Sequence, residues 1–212
     1  MKVVNNNVYI YSSDIYSYMF CPRQIFMKLK YGPIRTPAMA NGSAMHKFIE
    51  HKATEGEIPS HISKLKEAVN ISNSIDAVIQ SVERYYMQYE VMPNVFLIGK
   101  PDYIGAYRGN VIITERKPYR DRLLTGELMQ VASYALLAHA ETGLDYNKIT
   151  CYIDKYDRET GEIIKREHVI ITEKLIDELL LIINDIVHHL KNNSMPDKGT
   201  MCEYCPYKEM CD

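Results

Sequence analysis

The 212-residue sequence predicts a mixed α/β domain, a central mixed sheet flanked by helices. Three observations predict it. The hydrophobic patterns run helices, strands, one helix, strands, helix. Two pairs of β-prone runs are punctuated by turn residues, at Arg108-Gly109-Asn110 and through Asp157–Gly161. A long amphipathic segment closes the series. The apolar fraction of 46% and charged fraction of 25% are ordinary for a folded domain with a real core. A net charge of −2 excludes a global attraction to polyanions, so any nucleic-acid contact requires a local basic patch. No apolar run approaches the ~18–20 residues of a membrane span, and the first ten residues lack a signal-peptide core. The expectation is a cytoplasmic protein, in which disulfides are disfavoured and five cysteines need another explanation.

Taken in order, Val8–Tyr11 is a short lead-in strand. Ser12 or Ser13 caps the helix that follows, with Asp14 in its first turn. Ile15, Tyr18, Met19, Ile25, Phe26 and Leu29 give that segment a helical apolar pattern, interrupted at Cys21-Pro22 and ended by Gly32-Pro33. Residues 39–53 read as a second helix, with His46 and Glu50 on one face. Residues 60–90 read as helical, with Ile62, Leu65, Val69, Ile75, Val78, Ile79, Val82 and Tyr86 forming the apolar face. Val95–Ile98, continued by Tyr103–Tyr107, runs out to the Arg108–Asn110 turn, and Val111–Lys117 returns. Pro118 is expected to end that strand abruptly. A helix spans about Thr125 to Glu141 and stops at Gly143. Strands at Ile149–Tyr156 and Ile163–Ile171 follow. Thr172 caps a helix from Glu173 to about Lys191.

The hairpin carries the chemistry. Asp102 lies near the start of its outgoing strand and Glu115 near the end of its return strand, so the two carboxylates converge. Glu115 and Lys117 are two apart and leave the same face. Two carboxylates suit Mg²⁺ or Mn²⁺, and an imidazole from His46 adds a ligand that favours Mn²⁺. Such a cation lowers the pKa of water and steadies charge on a phosphate oxygen. Lys117 orients the nucleophile or stabilises the developing charge. Arg116, Arg120 and Arg122 form a basic run beside the site, suited to phosphate contact, and Tyr119 within it can stack on an unpaired base.

Cys202-x-x-Cys205 and Cys211 place three thiols within ten residues, and Cys21 lies far upstream before a proline. Four thiolates suit either tetrahedral zinc or an iron–sulfur cluster, and spacing alone barely separates the two. A cluster would staple the first helix to the tail, closing a loop of ~180 residues. Cys151, on an apolar strand, reads as a small core residue.

Pro101-Asp102 followed by Glu115-x-Lys117 resembles the PD-(D/E)xK nuclease superfamily, and the histidine helix before it resembles that superfamily's RecB-like branch. Gln130-x-x-x-Tyr134 matches a further motif of the branch, which implies that this helix face contacts DNA and supports the catalytic lysine. With Tyr18-x-x-Cys21-Pro22-Arg23 at one end and the cysteine tail at the other, residues 12–211 resemble the CRISPR-associated RecB-like exonuclease family. The resemblance implies a single RecB-like domain over 1–212, with an iron–sulfur subdomain built from about 12–32 and 192–212. It assigns Cys21, Cys202, Cys205 and Cys211 to a 4Fe–4S cluster, His46, Asp102 and Glu115 to the metal, and catalysis to Lys117. It further implies 5′ to 3′ degradation of single-stranded DNA ends and partnership with CRISPR integrase proteins. The motifs report chemistry and not pathway. A viral or repair nuclease of the same fold, and a non-catalytic DNA-binding module, therefore stand as alternatives.

Overall fold

Two sheets share one central helix. A computed structural model describes residues 1–37, 40–45, 64–74, 78–80, 85–200 and 202–211. The first sheet holds β1 (Lys2–Val4), β2 (Asn7–Tyr11), β5 (Val95–Gly99) and β4 (Met87–Met92), in the spatial order β1-β2-β5-β4. The second holds β3 (Ile79–Gln80), β6 (Tyr103–Tyr107), β7 (Asn110–Pro118), β8 (Ile149–Tyr156) and β9 (Ile163–Val169), in chain order. Both are mixed: β2 runs parallel to β5, and β7 parallel to β8, while the remaining pairs are antiparallel. The helices are α1 (Ser12–Phe20), α2 (Pro22–Tyr31), α3 (Leu65–Ser72), α4 (Thr125–Thr142) and α5 (Glu173–Lys191). Residues 40–45 are also helical.

α4 is the crossover that parallel β7 and β8 require. It touches α1, α3 and α5 as well as strands of both sheets. Met129 through Ala138 is buried without a break, so α4 has no solvent stripe. Gly143 ends it in the left-handed conformation, φ 75°, with its amide on the His139 carbonyl. Among the described residues, no helix is long and apolar enough to cross a membrane.

Several local expectations change. The N-cap of α1 is Tyr11, whose amide donates to Asp14 Oδ2 at 2.9 Å. Ser12 lies inside the helix and donates to the Ile98 carbonyl. Lys2–Val4 is an extra strand, joined to β2 through Asn5 and Asn6, both at positive φ. The helix expected over residues 60–90 is, among the described residues, confined to α3. Ile79–Gln80 and Met87–Met92 are strands. Pairing overrides the helical spacing there: Ile79 joins Ala106, and β4 returns into β5 through a Pro93-Asn94 turn with Asn94 at φ 63°. β5 and β6 are not one strand, because the chain changes sheets across Lys100-Pro101-Asp102. The expected helix over 39–53 lies outside the described residues except for the 40–45 stretch.

Candidate active site

The β6–β7 hairpin sets the two carboxylates. Tyr103 pairs with Thr114, so the next step of the ladder brings Asp102 beside Glu115. β6 ends there, and Asp102 Oδ2 takes the Arg116 amide at 2.7 Å in place of a strand partner. Glu115 is buried, 4% exposed. Lys117 Nζ lies 2.8 Å from Glu115 Oε1, and 4.8 Å above the Tyr16 ring of α1. Burial draws the Lys117 ammonium down, but Glu115 first and then Asp102 outweigh it, and the net shift is upward.

β7 ends at Pro118, one residue later than expected. Pro118 is the last residue of the strand and is itself paired with Tyr156 of β8. The Arg116 amide points toward β6 and the Tyr119 amide toward β8, where it bonds the Tyr156 carbonyl at 2.8 Å. By alternation Pro118 turns its missing donor to the side that β6 has already left, so no ladder bond is lost. Lys117 therefore sits within the regular β7–β8 ladder, paired with Lys155.

α4 closes the site from above. Gln130 Oε1 accepts from Lys117 Nζ at 2.8 Å, and Gln130 Nε2 donates to Glu115 Oε1 at 3.0 Å and to Tyr134 Oη at 2.9 Å. Tyr134 in turn donates to the Lys100 carbonyl at 3.3 Å, two residues before Asp102. Burial, with Glu115 and Asp102 nearby, pushes the Tyr134 phenol well up, so it stays a donor. Gln130 and Tyr134 are 5% and 2% exposed, so their contacts are with the carboxylate, the lysine and the backbone.

Asp102, Glu115, Lys117, Gln130 and Tyr134 are thus brought together. His46 lies outside the described residues. Arg116 leaves the opposite face of β7 from Glu115 and Lys117, with Nε and Nη1 buried and without a hydrogen-bond partner among the described residues. Tyr119, Arg120 and Arg122 are exposed on the loop before α4, and Tyr119 donates to Asp121 at 3.2 Å. Glu127 and Lys155, which none of the motifs above includes, form a buried pair at 2.6 Å beside the site. A lysine next to Asp154 at the end of the mostly apolar β8, and a glutamate three residues before Gln130, are the available signals.

At the far end of α1, Cys21 separates α1 from α2 in an extended conformation. The tail docks there. The Gly199 amide donates to Cys21 Sγ at 3.3 Å, and a Cβ on Gly199 would stand 2.7 Å from the Phe20 carbonyl. Arg23 Nε donates to the Pro196 carbonyl, and Tyr207 Oη to the Gly32 carbonyl. Burial raises the Cys205 thiol, the Tyr207 backbone opposes this, and nearby Cys21, Cys211 and Cys202 raise it further, so the four thiols share one neighbourhood. Cys151 is wholly buried in β8, away from them in the core. Among the described residues, no three His, Cys, Asp or Glu side chains form a ready cage for a metal ion.

A mixed sheet that presents an aspartate and a Glu-x-Lys strand end beneath a Gln–Tyr helix defines the PD-(D/E)xK class of fold. The profile of the PD-(D/E)XK nuclease superfamily matches residues 65–212, and the chain belongs to that superfamily. Among solved structures, SSO0001 superposes with a TM-score of 0.61 at 17% identity, over 98% of this chain and 88% of that one. A candidate exonuclease from Eubacterium rectale superposes with a TM-score of 0.55 at 17% identity, over 100% of this chain and 94% of that one. At this identity the two show a shared fold. A search of curated protein sequences finds no match.

Proposed function

We propose that the protein is a metal-dependent DNA exonuclease that degrades single-stranded ends. The observation that carries this reading is the contact of Gln130 with both Glu115 and Lys117, beside Asp102. The donor set fits a hard divalent cation: two carboxylates opposite each other at the open end of the β6–β7 hairpin, with His46 as the expected third ligand. Members of this superfamily typically use Mg²⁺ or Mn²⁺. The cation, when bound, supplies a lowered water pKa and counter-charge for the phosphate. Lys117 donates to the phosphate oxygen on which negative charge grows, and Gln130 holds the ammonium there. Gln130 also fixes the Glu115 carboxylate, and the Tyr134 hydroxyl fixes Gln130. Arg120, Arg122 and Tyr119, exposed on the adjoining loop, suit phosphates and an unpaired base, and Arg116 belongs to the same basic run.

A 4Fe–4S cluster on Cys21, Cys202, Cys205 and Cys211 is part of the reading. All four donors are thiols, and the Gly199 contact fastens the tail to Cys21. Its role is to staple residues 12–32 to residues 192–212. The resemblance of the whole chain supports a place in CRISPR spacer acquisition in the cytoplasm, where DNA fragments are trimmed 5′ to 3′ beside integrase proteins. The candidate exonuclease of similar fold is consistent with end-directed cleavage. The test is degradation of 5′-labelled, 3′-labelled and circular single-stranded DNA in Mn²⁺. Loss of label from the 5′ end with the circle intact is expected. Cleavage of the circle would replace the exonuclease reading with an endonuclease.

A further inference from the structure

Glu127 and Lys155 form an ion pair with no access to solvent. Lys155 Nζ donates to Glu127 Oε2 at 2.6 Å, and the side chains are 0% and 2% exposed. The same Oε2 accepts the Leu124 amide at 3.0 Å, so Glu127 also caps the helix that bears it. Taking two charges out of water costs several kcal/mol per ion, and a pair of apolar side chains of equal volume commonly matches or exceeds the stability of such a pair. Stability alone therefore gives little reason for it.

Its location gives a better one. Lys155 is the register partner of Lys117 across the parallel β7–β8 ladder, on the same face of the sheet. Glu127 precedes Gln130 by one helical turn on the face that looks down on those strands. Gly126 presses the same turn onto α1, where an added Cβ would stand 3.1 Å from the Tyr16 carbonyl. Resting on the nuclease reading above, we propose that the Glu127–Lys155 pair is a positioning element of that site. It pins the first turn of α4 in height and rotation over β8, and this aims Gln130 at both Lys117 and Glu115. Neither member touches the substrate.

The test uses the full chain with single-stranded DNA and Mn²⁺. The double substitution E127L/K155M removes both charges together, so no buried ion is left unpaired. It is expected to fold and melt close to the wild-type temperature, because loss of the Leu124 cap offsets relief of the buried charges, to keep KM within about twofold and to lower kcat by about tenfold to a hundredfold, the effect of a small misplacement. Glu127→Gln, which keeps an acceptor for the Leu124 amide, is expected to lose kcat in the same manner. Gln130→Ala introduced into the double variant is expected to lower kcat less than threefold further, because the aim of Gln130 is already lost. Wild-type kcat in the double variant would overturn the proposal, as would a full multiplicative loss on adding Gln130→Ala. A wild-type protein that hydrolyses no DNA would instead bring down the nuclease reading and this proposal with it.

Discussion

Lys117 Nζ is held 2.8 Å from Glu115 Oε1, two residues back on the same face of one strand, with Gln130 bonded to both. The lysine thus occupies the carboxylate that the proposed cation needs. Lys117→Met removes this competitor and the proposed phosphate donor at once. Mn²⁺ binding, measured by calorimetry, is expected to be equal to or tighter than wild type. Cleavage is expected to fall by about a hundredfold or more. Weaker Mn²⁺ binding would contradict the assignment of Glu115 as a ligand competing with Lys117.

Gln130 and Tyr134 act in series. Gln130→Ala unties both Lys117 and Glu115 and is expected to lower kcat by about tenfold to a hundredfold. Tyr134→Phe removes one neutral hydrogen bond to Gln130 and one to the Lys100 carbonyl, each worth about 1 kcal/mol. Its effect on kcat is expected to be smaller than that of Gln130→Ala. Steady-state kinetics on one oligonucleotide checks the order, and a Tyr134→Phe variant more impaired than Gln130→Ala would reverse the chain of dependence.

The terminal cysteines carry a separate expectation. Protein purified without air is expected to be brown, to absorb near ~400 nm and to contain about four irons per chain. Cys21→Ala is expected to lose the iron and to lower the melting temperature, since Cys21 is the point on which Gly199 docks the tail. Stoichiometric zinc with no iron would replace the cluster with a zinc staple.

Cys151 is expected to behave unlike the other four. Burial alone pushes its thiol up to about 12, so at pH 8 the folded protein holds it neutral. An unfolded cysteine, with a pKa of about 8.5, is partly thiolate at that pH. Iodoacetamide at pH 8 is therefore expected to spare Cys151 until the chain unfolds. Mass spectrometry of peptides covering β8 reads this directly, and rapid alkylation in the native protein would contradict its place in the core.

The sequence carried the hairpin well because its signals are local. Gly109 supplies the turn at φ 74°, and the two-residue spacing of Glu115 and Lys117 fixes their common face. The Gln130–Tyr134 face was likewise readable from a spacing of four. What escaped depends on partners distant in the chain. Met87–Met92 has helix-compatible spacing, and only its pairing with β5 makes it a strand. Pro118 reads as a breaker and does close β7, but only after pairing with Tyr156, because its missing amide faces the side that β6 has already left. Glu127 and Lys155 are 28 residues apart and meet only because α4 crosses back over β8.

The most direct measurement compares wild type with Asp102→Ala and Glu115→Ala on end-labelled single-stranded DNA in Mn²⁺, alongside thermal melts of all three. The expected result is metal-dependent release of nucleotides by wild type and none by either variant, with all three folded. Retained metal-dependent cleavage in either folded variant would contradict the assignment of the site.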